Sequence, residues 1–123
     1  MRILLDTHVL LWWLAGATIE AGARKAIASS GADVYVSAAS MWEVAIKRAS
    51  GKLKVPAGFE TRVARDFGSL PMTAEHAWLA GGLPRHHDDP FDRMLVAQAT
   101  VEQMGIVTRD PRFAAYGIPL INA

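Results

Sequence analysis

Ile3-Leu4-Leu5-Asp6-Thr7-His8-Val9-Leu10 is the stretch that decides the fold. Three consecutive apolar residues suit a central parallel strand buried on both faces, because a strand with one wet face alternates apolar and polar. The run stops at an acid, and Val9 to Leu14 then reads as a helix turning away, ended by Gly16. Working outward, Ile19 to Ser29 is a second helical stretch closed by Gly31, and Val34-Tyr35-Val36 is a β-branched and aromatic strand. Ser37 or Ser40 can cap the next helix, which runs to about Ser50 and stops at Gly51. Phe59 to Phe67 reads as helix, and the proline in Leu70-Pro71-Met72 limits that run to a short or edge strand. Thr73 caps a short helix over Ala74 to Ala80, and Gly81 to Asp88 reads as a loop. Asp89-Pro90 opens the best-marked helix, with Asp at the N-cap and Pro at the first helical position, running to about Met104 and ended by Gly105. Ile106-Val107-Thr108 is another apolar strand. A helical turn around Arg112 to Ala115 and an extended piece over Ile118 to Ile121 complete the chain. Strands alternating with helices predict an α/β domain with a parallel sheet between helical layers.

The bulk numbers narrow the classes. A chain of 123 residues fits one domain, 1–123, with no linker, repeat or low-complexity segment in view. There is no cysteine, which excludes disulfides and thiolate metal sites and suits a reducing cytoplasm. The apolar start resembles a signal peptide only briefly, since Asp6 and His8 interrupt it, and no stretch is long enough to span a bilayer. The net charge of +1 carries no global signature of nucleic-acid binding. Lys47 to Lys54 is the one dense basic cluster, and Asp88 to Asp92 the one dense acidic cluster.

Four acids occupy related places in this order of elements. Asp6 ends the first strand, Glu43 lies in the first turns of the helix after the second, Asp92 lies in the first turn of the best-marked helix, and Asp110 follows the next strand by two residues. In right-handed β-α-β units each helix begins at the carboxyl edge of the sheet, so all four should project from one edge. Carboxylates gathered there repel unless a cation holds them. Hard oxygen donors without cysteine suit Mg2+ or Mn2+ better than zinc, and such ions activate water and neutralise phosphoryl charge, which makes a phosphodiester the natural substrate. Each acid also has a plainer reading. Ser40-x-x-Glu43 is a capping-box pattern, Asp89 and Asp92 suit a helix N-terminus, and Asp110-Pro111 makes a turn or cap. Asp6 ends a buried strand with no visible capping role.

The motifs Leu5-Asp6-Thr7-His8, Ser40-Met41-Trp42-Glu43, Asp89-Pro90-Phe91-Asp92-Arg93 and Thr108-Arg109-Asp110 resemble the PIN domain, with the VapC-type toxins of bacterial toxin–antitoxin pairs the best fit. The likeness covers essentially the whole chain in order, and His86 to Ala99, HHDDPFDRMLVAQA, is its most specific part. It implies a three-layer α/β/α sandwich around a short, mostly parallel sheet of four to five strands. It implies that Asp6, Glu43, Asp92 and Asp110 are the metal-binding and catalytic quartet of a Mg2+- or Mn2+-dependent ribonuclease. It also implies an RNA substrate, a cognate antitoxin that inhibits the enzyme, and a homodimer. Thr7 and Thr108 fall where the family places residues that support the quartet, and a turn role is equally open.

Other residues invite competing readings. Arg93 can contact substrate phosphate, pair with a quartet acid, or form a surface ion pair. His8 is expected to pack or to stand exposed, and His86 and His87 to sit in a loop rather than on the metal. Lys47, Arg48, Lys52 and Lys54 suit the C-terminal end of their helix through its dipole, away from the acidic edge. Leu10 to Leu14 is apolar all round, which points to a groove for an antitoxin helix or a dimer partner at Trp12 or Trp13. The rival function is a non-catalytic PIN-like or receiver-like pocket, but receivers carry paired acids after the first strand and a late lysine. A haloacid-dehalogenase-like phosphatase wants D-x-D, where this chain has His8.

Overall fold

In the computed structural model, residues 2–29 and 33–123 are described. Five strands form one wholly parallel sheet: β1 (Arg2–Leu5), β2 (Asp33–Ser37), β3 (Gly68–Leu70), β4 (Gly105–Thr108) and β5 (Leu120–Asn122), in the spatial order β3-β2-β1-β4-β5. Helices α1 (Thr7–Leu14) and α2 (Ala21–Ala28) join β1 to β2, and α3 (Ala38–Ala49) and α4 (Phe59–Asp66) join β2 to β3. Helices α5 (Ala74–Gly82) and α6 (Pro90–Glu102) lead back to β4, and a 3-10 helix over Pro111–Tyr116 precedes β5. Both edge strands are three residues long. No helix of the described residues is long and apolar enough to cross a membrane.

β1 lies at the centre, with Leu4 opposite Tyr35 of β2 on one side and Ile106 of β4 on the other. Its alternate side chains feed two cores. Ile3 and Leu5 pack with Val9, Leu10, Ala23, Val44 and Val63, from α1 to α4, while Leu4 packs with Leu95, Val96, Ala99 and Phe113. The unbroken apolar run is thus explained by burial on both faces. The first two connections leave on one side of β1 and the third returns past it, so right-handed crossovers put their helices on opposite faces. The point where the order reverses lies between β1 and β4, and crevices in such sheets open there, at the carboxyl ends of the strands.

Local signals account for most boundaries. Ser37 caps α3, its Oγ accepting from the Ala39 N–H at 2.9 Å, and Asp89 caps α6 with Pro90 following. β3 stops before Pro71, which has no N–H for the ladder. Gly68 is required by contact, since a Cβ there would meet the Tyr35 ring at 2.6 Å. Some expectations need correction. Gly81 and Gly82 complete α5 instead of opening the loop. α6 ends on Gln103 in the left-handed region at φ 54°, which frees Gly105 to begin β4. The expected closure of the second helix at Gly31 lies outside the described residues.

Candidate metal centre

Asp6 comes first in the chain and, at 4% exposure, is almost sealed. Its backbone N–H donates to Val107 O, continuing the sheet for one step, and its side chain then caps α1 by accepting from the His8 N–H at 3.4 Å. The expectation that Asp6 has no capping role is therefore wrong: helix α1 starts immediately after the strand, so one residue does both jobs. The stronger bond is from Thr108, whose Oγ1 donates to Asp6 Oδ2 at 2.7 Å and accepts from the Asp110 N–H at 3.0 Å. One hydroxyl thus ties the ends of β1 and β4 together. Burial is the main cause that raises the Asp6 pKa, and the Thr108 bond opposes it. Thr7 acts elsewhere: its hydroxyl donates to Ser40 Oγ at 2.9 Å, pinning α1 to α3.

Glu43 stands in the second turn of α3. The capping-box reading fails because Ser37, not Ser40, is the cap. The side chain is buried, with Oε2 accepting from Lys47 Nζ at 2.7 Å and Oε1 without any hydrogen-bond partner. Lys47 was expected with the solvated end of the helix. One helical turn, from residue 43 to residue 47, instead brings its ammonium onto the acid. The Glu-x-x-x-Lys spacing was the signal for it.

In α6 the cap and the site are divided between two acids. Asp89 accepts from the N–H groups of Phe91 at 2.8 Å and Asp92 at 3.1 Å. The Asp92 carboxyl is left to face the cluster. Burial first, then Asp6, Asp89, Glu43 and Asp110, push its pKa up to about 8. Asp110 is the opposite case. It caps the 3-10 helix, and the Arg112 guanidinium, 2.8 Å from Oδ2, holds its carboxyl down at about 2. The two acids share one edge and differ because Asp92 is the more buried and is ringed by acids, while Asp110 has a guanidinium against it.

His87 completes the tightest group. Its Nε2 lies 2.9 Å from Asp92 Oδ2 and 3.0 Å from Asp110 Oδ2, and the ring is buried. One atom from each of His87, Asp92 and Asp110 falls within a 4.8 Å radius of the others; Asp6 and Glu43 stand outside that trio. No pattern in the chain singles out this histidine, because two adjacent histidines cannot face one ion together. Here only one of them turns inward, while His86 stays exposed against Tyr116.

Arg93 reaches neither substrate space nor an acid. Its guanidinium donates to four carbonyls, those of Ala80, Leu83, Pro84 and His87, at 2.9 to 3.4 Å. It staples the loop that carries His87 onto α6, because a turn without regular structure leaves carbonyls that need donors. His8 is largely exposed beside Asp6. Trp12 is half-buried under the Arg109 guanidinium, 4.1 Å from the ring centre. Asp6, His8, Trp12, Arg109 and Asp110 line an open cleft of about 310 Å³. Trp13 packs against the core, and the two most exposed tryptophans are Trp78 and Trp42 instead.

The chemistry of this donor set fits a hard divalent cation. It offers carboxylate oxygens, one buried oxygen of Glu43 that nothing satisfies, and an Asp92 carboxyl whose pKa burial and then the gathered negative charge raise. A buried acceptor without a donor is costly unless a positive group meets it.

Comparison with known proteins accords with this arrangement. No curated protein sequence matches the chain. Solved structures with the same fold include the VapBC2 complex of Rickettsia felis bound to a promoter DNA fragment. It has 14% identity and a TM-score of 0.73, and the match covers 99% of this chain and 98% of that one. The DNA-bound VapBC of Salmonella typhimurium gives 18% and 0.72, covering 99% and 98%. A toxin–antitoxin complex from Klebsiella pneumoniae gives 21% and 0.68, covering 97% and 95%. The family model of the PIN domain matches residues 3–119, which takes in β1 from Ile3, the whole of β2, β3 and β4, and every acid at the carboxyl edge, and stops just before β5. With that match over nearly its whole length, the chain belongs to the PIN domain family.

Proposed function

We propose that this protein is a metal-dependent endoribonuclease, the VapC-type toxin of a toxin–antitoxin pair, held inactive by a cognate antitoxin. One observation carries the reading. Four acids from distant parts of the chain meet at one sheet edge, where burial and then their gathered charge push the Asp92 pKa up to about 8, while Glu43 keeps a buried oxygen unpartnered. Such an arrangement destabilises the fold unless it serves a bound cation.

Asp6, Glu43, Asp92 and Asp110 would hold Mg2+ or Mn2+. When bound, the ion supplies an acidified water and neutralises charge on the phosphoryl oxygens. The chain's own groups do the rest. Thr108 fixes the rotamer of Asp6 through the 2.7 Å bond. Lys47 holds one oxygen of Glu43 and leaves the other free. Arg112 keeps Asp110 ionised at any physiological pH. The open cleft lined by His8 and Arg109 beside the acids suits a single strand, whose phosphates a guanidinium can meet.

The antitoxin partner is supported by the neighbours of the same fold, which were solved as toxin–antitoxin complexes. It is supported also by a groove of about 340 Å³ in which Met41, Trp42, Val55 and Phe59 stand beside Arg48 and Glu60, next to the exposed Ile46. A homodimer would cover Trp78, which is 89% exposed on α5. The chain lacks cysteine, as suits a cytoplasmic protein.

The test is cleavage of RNA by protein freed of any antitoxin, with Mg2+ or Mn2+ and with chelator. Cleavage should require the ion and vanish in Asp6→Asn and Asp92→Asn. An Asp6→Asn protein that cleaves at the wild-type rate, or a wild-type protein that leaves RNA intact with both ions, would sink the reading. Accumulation of a covalent aspartyl-phosphate would instead favour the receiver-like or phosphatase alternative.

A further inference from the structure

We propose that His87 is a positioning residue and not a metal ligand: its Nε2–H bridges Asp92 and Asp110 and fixes the gap between them for a divalent cation. The inference rests on the metal-site reading above and deepens it.

The tautomer follows from three contacts. His87 Nδ1 accepts the Asp89 backbone N–H at 3.2 Å, so that nitrogen carries no proton. A neutral ring must then hold its proton on Nε2. A bare Nε2 lone pair facing two carboxylate oxygens at 2.9 and 3.0 Å would be repelled, whereas an N–H there donates to both. A protonated Asp92 cannot reverse the roles, because Nδ1 would then need a hydrogen where the Asp89 N–H already points. The same reasoning excludes His87 as a ligand, since an Nε2 bound to metal would force the hydrogen onto Nδ1.

The ring cannot drift. It is 2% exposed, stands edge-on to Phe113 at 5.6 Å between centres, and sits on a loop anchored by its backbone. The His87 N–H donates to Tyr116 Oη at 3.0 Å, the Tyr116 hydroxyl donates to Pro84 O at 2.7 Å, and Arg93 holds His87 O. These anchors use the main chain, so they survive replacement of the imidazole. The two bridged acids belong to different elements, α6 and the turn after β4, and repel each other once both are ionised. A neutral donor between them holds them close without adding a charge that would compete with a cation. Groups that orient ligands in this way are worth about 10- to 100-fold in metal affinity.

The experiment measures Mn2+ binding by calorimetry to wild type, His87→Ala, His87→Gln and Asp92→Asn, alongside thermal unfolding in chelator. A glutamine amide N–H reaches about as far as Nε2. His87→Ala is expected to bind Mn2+ about 10- to 100-fold more weakly, and His87→Gln to stay within a few-fold of wild type. Pulsed EPR of the Mn2+ complex should lack the strong nitrogen coupling of a directly bound imidazole. Wild-type affinity in folded His87→Ala, or failure of His87→Gln to recover binding while it remains folded, overturns the positioning role. A direct nitrogen coupling, absent in His87→Gln, overturns it in favour of ligation. If His87→Ala does not fold, the glutamine variant and the spectrum still decide. Wild type that binds no Mn2+, or Asp92→Asn that binds as tightly as wild type, overturns the metal site itself and this inference with it.

Discussion

Asp92→Asn should stabilise the metal-free protein while abolishing its activity. Burial and four neighbouring acids lift the Asp92 pKa from 3.8 to about 8. At ~1.36 kcal/mol per pH unit, ionising it in the native state costs on the order of 5 kcal/mol more than in the unfolded chain. The native state therefore keeps a proton that the unfolded state gives up between about pH 4 and pH 8. Where the native state holds more protons, stability falls as pH rises. The wild type should thus lose stability across this window and level off above it. Asparagine keeps the shape and never ionises, and its carbonyl oxygen can still accept from His87 Nε2. Wild type and variant should differ by no more than ~1 kcal/mol at pH 4.5 and by about 2–5 kcal/mol, variant more stable, at pH 8. The lower bound allows for neighbouring carboxyls that protonate in place of Asp92. Urea unfolding followed by tryptophan fluorescence, in chelator, at pH 4.5, 6 and 8 measures it. Mn2+ should then narrow the gap, raising wild type by about 2.7 kcal/mol at 100 times its dissociation constant while leaving the variant nearly unmoved. Two stability curves that run parallel with pH would refute the claim that Asp92 is the strained carboxyl.

Arg93→Met removes a donor from four carbonyls, one at the end of α5 and three in the loop before α6. It should cost about 2–4 kcal/mol and open the Arg85 region to trypsin, the loss of activity following from a displaced His87; unchanged proteolysis would return Arg93 to a substrate role. Lys47→Met strips Glu43 of its one donor, so metal-free stability should drop by about 1–3 kcal/mol, and Mn2+ should restore most of it by meeting the same carboxylate. An equal deficit with and without Mn2+ in thermal melts would mean that Glu43 does not face the ion.

Much of this site was legible in the sequence, because its coarse placement depends on local signals and one chirality rule. Ile3-Leu4-Leu5 announced a doubly buried strand, and Asp89-Pro90 fixed the start of α6 to the residue. The handedness of crossovers then sent Asp6, Glu43, Asp92 and Asp110 to one edge. What stayed hidden was the partner of each group. Asp6 reads as having no capping role because the apolar pattern starts the helix at Val9, two residues after α1 begins. Arg93 and Lys47 were assigned by their places on helices, and their actual acceptors depend on how a loop folds back and how one turn of helix meets a neighbour.

The sequence by itself determined the order of elements, the parallel sheet and the acidic edge, since backbone preference and hydrophobic period act over a few residues at a time. Only the tertiary structure decided which acid is charged. Asp110 and Asp92 look alike in the chain, yet Arg112 sits on the first, while burial and other carboxylates act on the second, so one is held at about 2 and the other lifted to about 8. The bonds that create this difference join Thr108 to Asp6 and His87 to Asp110, across 102 and 23 residues. Such distances are set by the packing of whole elements against each other, and no local pattern carries them.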